Sequence, residues 1–158
     1  TNLSPSSDVG HCTDNLPITV VNSLWDDDIS FFKVQDPTAI TNLGFSHVAP
    51  TPSATRAGLY KNIVVNPNAP ILALWADILW VEQGDIISLQ ILKPNGKYLL
   101  KREVVQNQKK ARRWIFAGKK LKGSRWERGT YIGRISLTRN ANSANPKILS
   151  LDVRIKMP

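Results

Sequence analysis

Cysteine and histidine are scarce in this chain of 158 residues, which holds one Cys and two His. Cys12 can therefore form no disulfide within the chain. Catalytic zinc sites draw three protein ligands, often from closely spaced histidines, and the sequence has neither a His-x-His pair nor H-E-x-x-H. A Ser or Cys nucleophile would need His11 or His47 as its base, and no G-x-S-x-G sequence accompanies them. We therefore predict no catalytic residue, no metal ligand, no cofactor and no enzymatic activity in this chain.

Long apolar segments are also missing. The longest apolar run, residues 70–81, is interrupted by Asp77 and falls short of the roughly 20 residues that cross a membrane. The first residues do not combine a basic segment with an apolar one, as a signal peptide does. A length of 158 residues with 42% hydrophobic residues fits one globular domain. We expect such a domain, without a transmembrane segment.

The sequence also lacks the apolar periodicity of a helix. Short apolar or alternating runs recur instead between turns. Alternation is clearest in residues 149–156, where aliphatic and polar residues take turns. Asn95-Gly96 separates two such runs, and this pair favours a tight β-hairpin. The sequence predicts strands in nine runs: Ile18–Val21, Ile29–Val34, Leu59–Val65, Ile71–Trp80, Ile86–Leu92, Tyr98–Val105, Arg112–Phe116, Tyr131–Thr138 and Ile148–Ile155.

These runs follow one another at hairpin spacing, with no helix predicted between them. This arrangement predicts an all-β fold, an antiparallel immunoglobulin-like β-sandwich of about seven to nine strands. Residues 1–17 are rich in Ser, Asn, Asp and Pro and predict an extended arm or linker. We accordingly divide the chain into an arm at 1–17 and a single sandwich domain at 18–158.

Positive charge is concentrated in one part of the chain, whose net charge is +9. Residues 93–134 hold fourteen Lys and Arg against two Glu, a net charge of +12, whereas residues 1–32 hold five Asp and no Lys or Arg. Clustered cations attract polyanions, and Trp residues among them can stack on a base or a sugar ring. The predicted polyanion-binding residues are Lys109, Lys110, Arg112, Arg113, Lys119, Lys120, Lys122 and Arg125.

Two readings of this basic segment are open. In one, it faces nucleic acid, anionic lipid headgroups or an anionic polymer of the cell envelope. In the other, its cations are solvated on two hairpins while Trp114 and Trp126 turn to the core. Trp80 and Trp126 are the candidate interface residues, and Trp75, five positions before Trp80, is expected in the core.

Several short segments together carry a family resemblance. They are Gly44-Phe45-Ser46 with Pro50, residues 69–76, Gly84-Asp85 followed by Lys93–Lys97, residues 112–120, residues 126–133 and Arg139. This succession, over roughly residues 40–140, is similar to the non-catalytic C-terminal domain of secreted proteobacterial lysostaphin-type (LytM-like) zinc metallopeptidases. The zinc-binding His-x-His and H-x-x-x-D motifs of that family have no counterpart here, so no catalytic residue is carried over.

The resemblance implies an accessory domain of an enzyme that cleaves peptidoglycan cross-links, in the periplasm or outside the cell. Its partners would be an anionic polymer of the cell envelope or the parent peptidase domain. The alternative is a secreted module or effector that docks a protein partner through strand edges and Trp80. Nucleic-acid binding is the third and least favoured function.

Overall fold

The structure is a computed structural model that describes residues 36–61, 63 and 66–158. Seven strands and one short helix occur in this part of the chain. They are β1 (Ala39–Ser46), α1 (Pro52–Arg56), β2 (Ile71–Val81), β3 (Ile86–Leu92), β4 (Tyr98–Val105), β5 (Lys110–Lys120), β6 (Gly129–Arg139) and β7 (Lys147–Met157). No helix among the described residues has the length and apolar character needed to cross a membrane.

The strands form two antiparallel sheets, with the orders β1-β2-β5 and β4-β3-β6-β7. After the β3–β4 hairpin the chain leaves the four-stranded sheet, and β5 pairs with β2 in the other sheet. This crossover is the Greek-key connection of sandwich folds. The predicted antiparallel immunoglobulin-like β-sandwich is therefore confirmed, with seven strands in Pro37–Pro158.

The core lies between the two sheets and is built from the inward rows of the strands. Leu74 and Ile78 of β2 meet Leu89 of β3 and Ile135 of β6 there, all four fully buried. Alternation supplies these rows, because every second side chain of a strand points to the same face. At the two open sides of the sandwich, β1 lies beside β7 and β4 beside β5.

Strand β2 is buried on its outward face as well. Trp75 and Asp77 belong to the outward row, yet each is only 2% exposed. The connection between β1 and β2 lies against this row, since the ring of Tyr60 contacts Trp75 and Arg56 reaches Asp77. The expectation that Trp75 is buried is confirmed, although the ring lies outside the inter-sheet core.

Most strand predictions match the structure, and the differences have physical causes. Ile86–Leu92 and Tyr98–Val105 are strands over the predicted residues, joined by the predicted hairpin. The predicted strand Leu59–Val65 is wrong, because residues 59–61 form a turn. Helix α1, which was not predicted, is a single capped turn in which the Thr51 hydroxyl accepts from the amide of Ala54 at 3.3 Å.

Strand β1 was also missed, because a register shift between Ile40 and Asn42 breaks its alternation. The shift turns Ile40 and Leu43 to the same side of the strand, so the period-2 pattern disappears from the sequence. The predicted strands Ile18–Val21 and Ile29–Val34 and the arm at 1–17 lie outside the described residues.

Gly133 in the middle of β6 permits a close approach of the two sheets. A Cβ at this position would lie 2.9 Å from Cζ of Phe45 and 3.1 Å from a methyl group of Val153, and would also meet Leu74. We expect Gly133→Ala to lower the free energy of unfolding by about 1–3 kcal/mol, because the packed core cannot open for the methyl group.

Urea denaturation followed by Trp fluorescence measures this change. Thr130→Ala, at an exposed position of the same strand, is the control and should change stability by less than about 0.5 kcal/mol. An unchanged denaturation midpoint for Gly133→Ala would show that the sheets are not in close contact there.

Candidate functional site

The predicted polyanion-binding residues fall into two groups at opposite ends of β5. One group, Lys109 to Arg113, lies where the strand begins, and the other, Lys119 to Arg125, lies where it ends and in the following loop. Lys110 and Lys120 are ten positions apart in an extended strand, or about 33 Å. The structure therefore does not bring the eight cations together into one surface.

The first group contains cations that already have acidic partners. Nε of Arg112 donates to the two carboxylate oxygens of Asp77 at 2.8 and 2.9 Å, and Nη2 of Arg112 also contacts this carboxylate. This hydrogen bonding raises the pKa of the Arg112 guanidinium above its ordinary value. Lys109 pairs with Glu82 at 2.9 Å. Arg112 thus neutralises a buried carboxylate.

The second group surrounds a cavity of about 170 Å³, which we call the basic cleft. Its wall is made by the end of β5, the β5–β6 loop, the residue after β3, one residue of β4 and one residue of β6. The lining residues are Lys93, Leu99, Lys119, Lys120, Leu121, Lys122, Arg125, Trp126, Glu127 and Tyr131. Four of the eight predicted cations thus share one site, and Lys93 joins them.

The loop that carries Lys122 and Arg125 is held to the segment before β2 by three hydrogen bonds. The amide of Leu121 donates to the Pro70 carbonyl, and the amide of Trp126 donates to that of Pro67, both at 2.8 Å. Nε1 of the Trp126 indole donates to the Ala69 carbonyl, also at 2.8 Å. The backbone that carries Lys122 and Arg125 is thereby positioned before any ligand arrives.

Trp126 and Tyr131 form the aromatic part of the basic cleft. Their side chains are 5% and 1% exposed, so they contribute packing and leave little surface for a partner. Burial, with a smaller contribution from Glu127, raises the pKa of the Tyr131 phenol. The alternative in which Trp126 turns to the core matches this placement, and Trp126 is therefore poorly suited to the interface role predicted for it.

Glu127 is the one carboxylate among the lining residues, and it is already engaged. Nζ of Lys93 lies 2.6 Å from its Oε1, and the side-chain amide of Asn95 donates to its Oε2 at 3.5 Å. This pairing raises the pKa of the Lys93 ammonium. Among the described residues, Lys119, Lys120 and Lys122 make no ion pair. The basic cleft therefore presents an uncompensated positive field.

Trp80 lies at the other end of β2, far from the basic cleft. Its side chain is 42% exposed and its φ of 52° is rare for a bulky residue. The Trp80 carbonyl accepts hydrogen bonds from Oγ1 of Thr38 at 2.7 Å and Nη2 of Arg139 at 3.2 Å. Arg139 also binds the buried carboxylate of Asp85. These bonds hold the backbone in the conformation that displays the indole.

Trp114 faces the outer side of the three-stranded sheet, together with Phe116, while Ile115 between them enters the core. The alternative in which Trp114 turns to the core is therefore wrong. As for metal sites, the described part of the chain holds no group of three or more His, Cys, Asp or Glu residues that could bind an ion. His11 and Cys12 lie outside the described residues.

The two groups of cations predict different consequences of mutation. Arg112→Gln leaves Asp77 buried with only Arg56, 3.5 Å away, as a charged partner, so we expect the thermal midpoint to fall by several degrees. Lys120→Gln removes a solvated charge and should leave the midpoint unchanged. Differential scanning calorimetry of both variants measures the contrast, and equal midpoints would contradict a structural role for Arg112.

No protein-family model and no curated protein matches the chain. Among solved structures, the β-glucuronidase of Parabacteroides merdae is similar over 75% of this chain, with 5% identity and a TM-score of 0.45, and this chain spans 14% of that one. The C-terminal domain of wzt is similar over 77% of this chain and 70% of its own, with 10% identity and a TM-score of 0.44. Likenesses with such TM-scores carry no inference about this chain.

Proposed function

We propose that this domain is a non-catalytic binding module that holds an anionic polymer of the bacterial cell envelope at the basic cleft. The observation that carries the proposal is the convergence of five cations around one cavity, of which only Lys93 is paired with the single carboxylate, Glu127. A polymer with repeated negative charges gains from several such cations at once, because it releases counterions at each of them.

The rigidity of the β5–β6 loop supports a binding role. Lys122 and Arg125 lie between backbone hydrogen bonds at Leu121 and Trp126, so little backbone freedom is lost when a ligand binds. The basic cleft is a cavity of about 170 Å³ and not a flat basic face, and a single charged strand fits it better than a broad duplex does. This shape favours an envelope polymer over double-stranded nucleic acid.

The setting we propose is that of an accessory domain. The resemblance to the domain appended to LytM-like metallopeptidases supports a role in positioning a peptidase near its substrate, in the periplasm or outside the cell. The parent peptidase domain would be the second partner. The chain would contribute affinity for the envelope and no chemistry of its own.

Co-sedimentation with purified bacterial sacculi that retain their anionic polymers tests the role of the cleft. We expect the combined substitution of Lys119, Lys120, Lys122 and Arg125 by Gln to weaken binding about 10- to 100-fold. This estimate takes roughly 0.5 kcal/mol for each exposed charge pair, with tenfold for every 1.4 kcal/mol. Binding of the unmodified protein should also weaken steeply as salt is raised.

The matched control removes the same amount of charge elsewhere. Lys61, Lys101, Arg154 and Lys156 are exposed and lie outside the basic cleft. Their combined substitution by Gln should reduce binding far less than the cleft variant does. Equal losses in the two variants would mean that only net charge matters, and an unchanged affinity of the cleft variant would refute the proposal.

The second candidate function is docking of a protein partner at Trp80, and the specific observation in its favour is the unusual backbone of that residue. A left-handed conformation at a bulky residue is unfavourable and is often retained at functional positions. Trp80 is also 42% exposed, so its indole is accessible to a partner.

High salt and protease treatment of the envelope fraction distinguish polymer binding at the basic cleft from protein docking at Trp80. If a protein partner in the envelope fraction binds Trp80, Trp80→Ala should abolish retention, whereas high salt should change it little. Prior digestion of the envelope fraction with protease should then remove binding as well. Retention of Trp80→Ala at the level of the unmodified protein would eliminate this candidate, and Leu59→Ala, at another exposed apolar residue, is the control.

A further inference from the structure

A second cavity lies between β4 and β5, where the two sheets meet at an open side of the sandwich. It has a volume of about 250 Å³, and we call it the arginine pocket. Strand β4 contributes residues of its inward row, and β5 contributes consecutive residues from both rows. The lining residues are Arg102, Val104, Arg113, Trp114, Ile115 and Phe116.

Two buried N–H donors of the lining residues lack an acceptor. Nε of Arg113 and Nε1 of Trp114 are shielded from solvent and make no hydrogen bond within the described structure. A buried donor without a partner is unfavourable and uncommon in proteins. The indoles of Trp75 and Trp126, by contrast, donate to the carbonyls of Phe45 and Ala69. Arg113 lies on the row that faces β4, so a ligand in the arginine pocket that supplies an acceptor would draw this donor toward it.

The two arginines of the pocket also lack a counter-charge. Neither Arg102 nor Arg113 forms an ion pair with a carboxylate in the described part of the chain. Glu103 follows Arg102 in sequence, but adjacent residues of a strand point to opposite faces, and Glu103 pairs with Lys101 at 3.6 Å. The pocket therefore attracts an anion.

The rest of the pocket is apolar. Val104 and Ile115 lie on either side of the gap between the strands, and the rings of Trp114 and Phe116 lie with their centroids 5.2 Å apart. Phe116 is 38% exposed, so part of its ring remains available to a ligand. A bare inorganic anion would leave these surfaces without contacts, whereas an anion that carries an apolar group would cover them.

We propose that the arginine pocket binds a carboxylate attached to a compact apolar or aromatic group. The planar guanidiniums of Arg102 and Arg113 match the two oxygens of a carboxylate. The apolar group of the ligand packs against Val104, Ile115 and Phe116. This site is separate from the basic cleft, since Arg113 and Lys119 are six positions apart in β5, or about 20 Å.

NMR of the side-chain N–H groups tests the proposal on the unmodified protein. We expect the ¹H–¹⁵N resonances of the Trp114 indole and of Nε of Arg113 to shift saturably when N-acetylphenylalanine is added, with an affinity in the millimolar range typical of a small fragment. The indole resonances of Trp75 and Trp126 are internal controls and should stay in place. Trp114→Phe and Arg113→Lys assign the two resonances.

The choice of probes identifies which chemistry is recognised. N-acetylphenylalanine amide has the same ring without the carboxylate, and acetate has the carboxylate without the ring. Both should bind about tenfold more weakly or not at all. Equal shifts with the amide, equal shifts with acetate or inorganic phosphate, or no saturable shift with N-acetylphenylalanine would each overturn the proposal.

The source of the carboxylate is resolved by two further ligands. Acetyl-Gly-Gly-Gly-Phe with a free C-terminus represents a peptide end, and phenylpropionate represents a small free acid. Tighter binding of the peptide would assign the pocket to protein C-termini, whereas equal or tighter binding of phenylpropionate would assign it to small organic acids.

Two substitutions with a control complete the test. Arg113→Lys keeps the positive charge but loses the fork of donors, and Arg102→Lys makes the same change on β4. Each should weaken binding of N-acetylphenylalanine by about threefold to tenfold. The variant with Gln at Lys119, Lys120, Lys122 and Arg125 should bind this probe as the unmodified protein does. A loss in that variant would place the carboxylate in the basic cleft and overturn the proposal.

Discussion

Strand β2 is buried on both faces, and this constraint decides how the cations of the domain are used. The inward row fills the core between the sheets, while the outward row is covered by the connection from β1. Asp77 belongs to the covered row, and a carboxylate withdrawn from water needs a cationic partner. Arg112 on the neighbouring strand meets this need. One part of the basic segment is thereby committed to the fold, and the other part remains available for binding.

Strand β5 combines several roles because it is an edge strand with different surroundings along its length. Its first half provides the partner of Asp77 and one wall of the arginine pocket, and its end leads into the basic cleft. The two cavities differ in what surrounds their charges. The basic cleft is lined by flexible lysines around a fixed loop, whereas the arginine pocket pairs planar guanidiniums with rings. The basic cleft suits a ligand with repeated negative charges, and the arginine pocket suits a ligand with one oriented anionic group.

The sequence predicted most of the fold, since alternation and Asn95-Gly96 locate β3, β4 and their hairpin directly. It could not predict β1, whose bulge hides the alternation, or α1, which is too short to show a helical period. For the site, the sequence identified the cations but not their division. Adjacent positions in β5 differ in partner, as Arg112 and Arg113 do, and that difference arises from strands distant in sequence. Lys93 follows β3, and it lines the basic cleft because β3 pairs with β6. No local sequence pattern reveals this pairing.

The cations of β5 come in adjacent pairs, and this has a consequence for strand register. A slip of β5 by one residue along β2 would bring Arg113 to the place of Arg112, so a guanidinium would still stand near Asp77. The ion pair therefore cannot distinguish the correct alignment from its nearest competitor. Ile115 and Ala117 can, because the same slip would turn both into solvent and bring Trp114 and Phe116 into a space shaped for smaller side chains. Alignment of the sheet is thus specified by volume, and charge only stabilises an alignment already chosen.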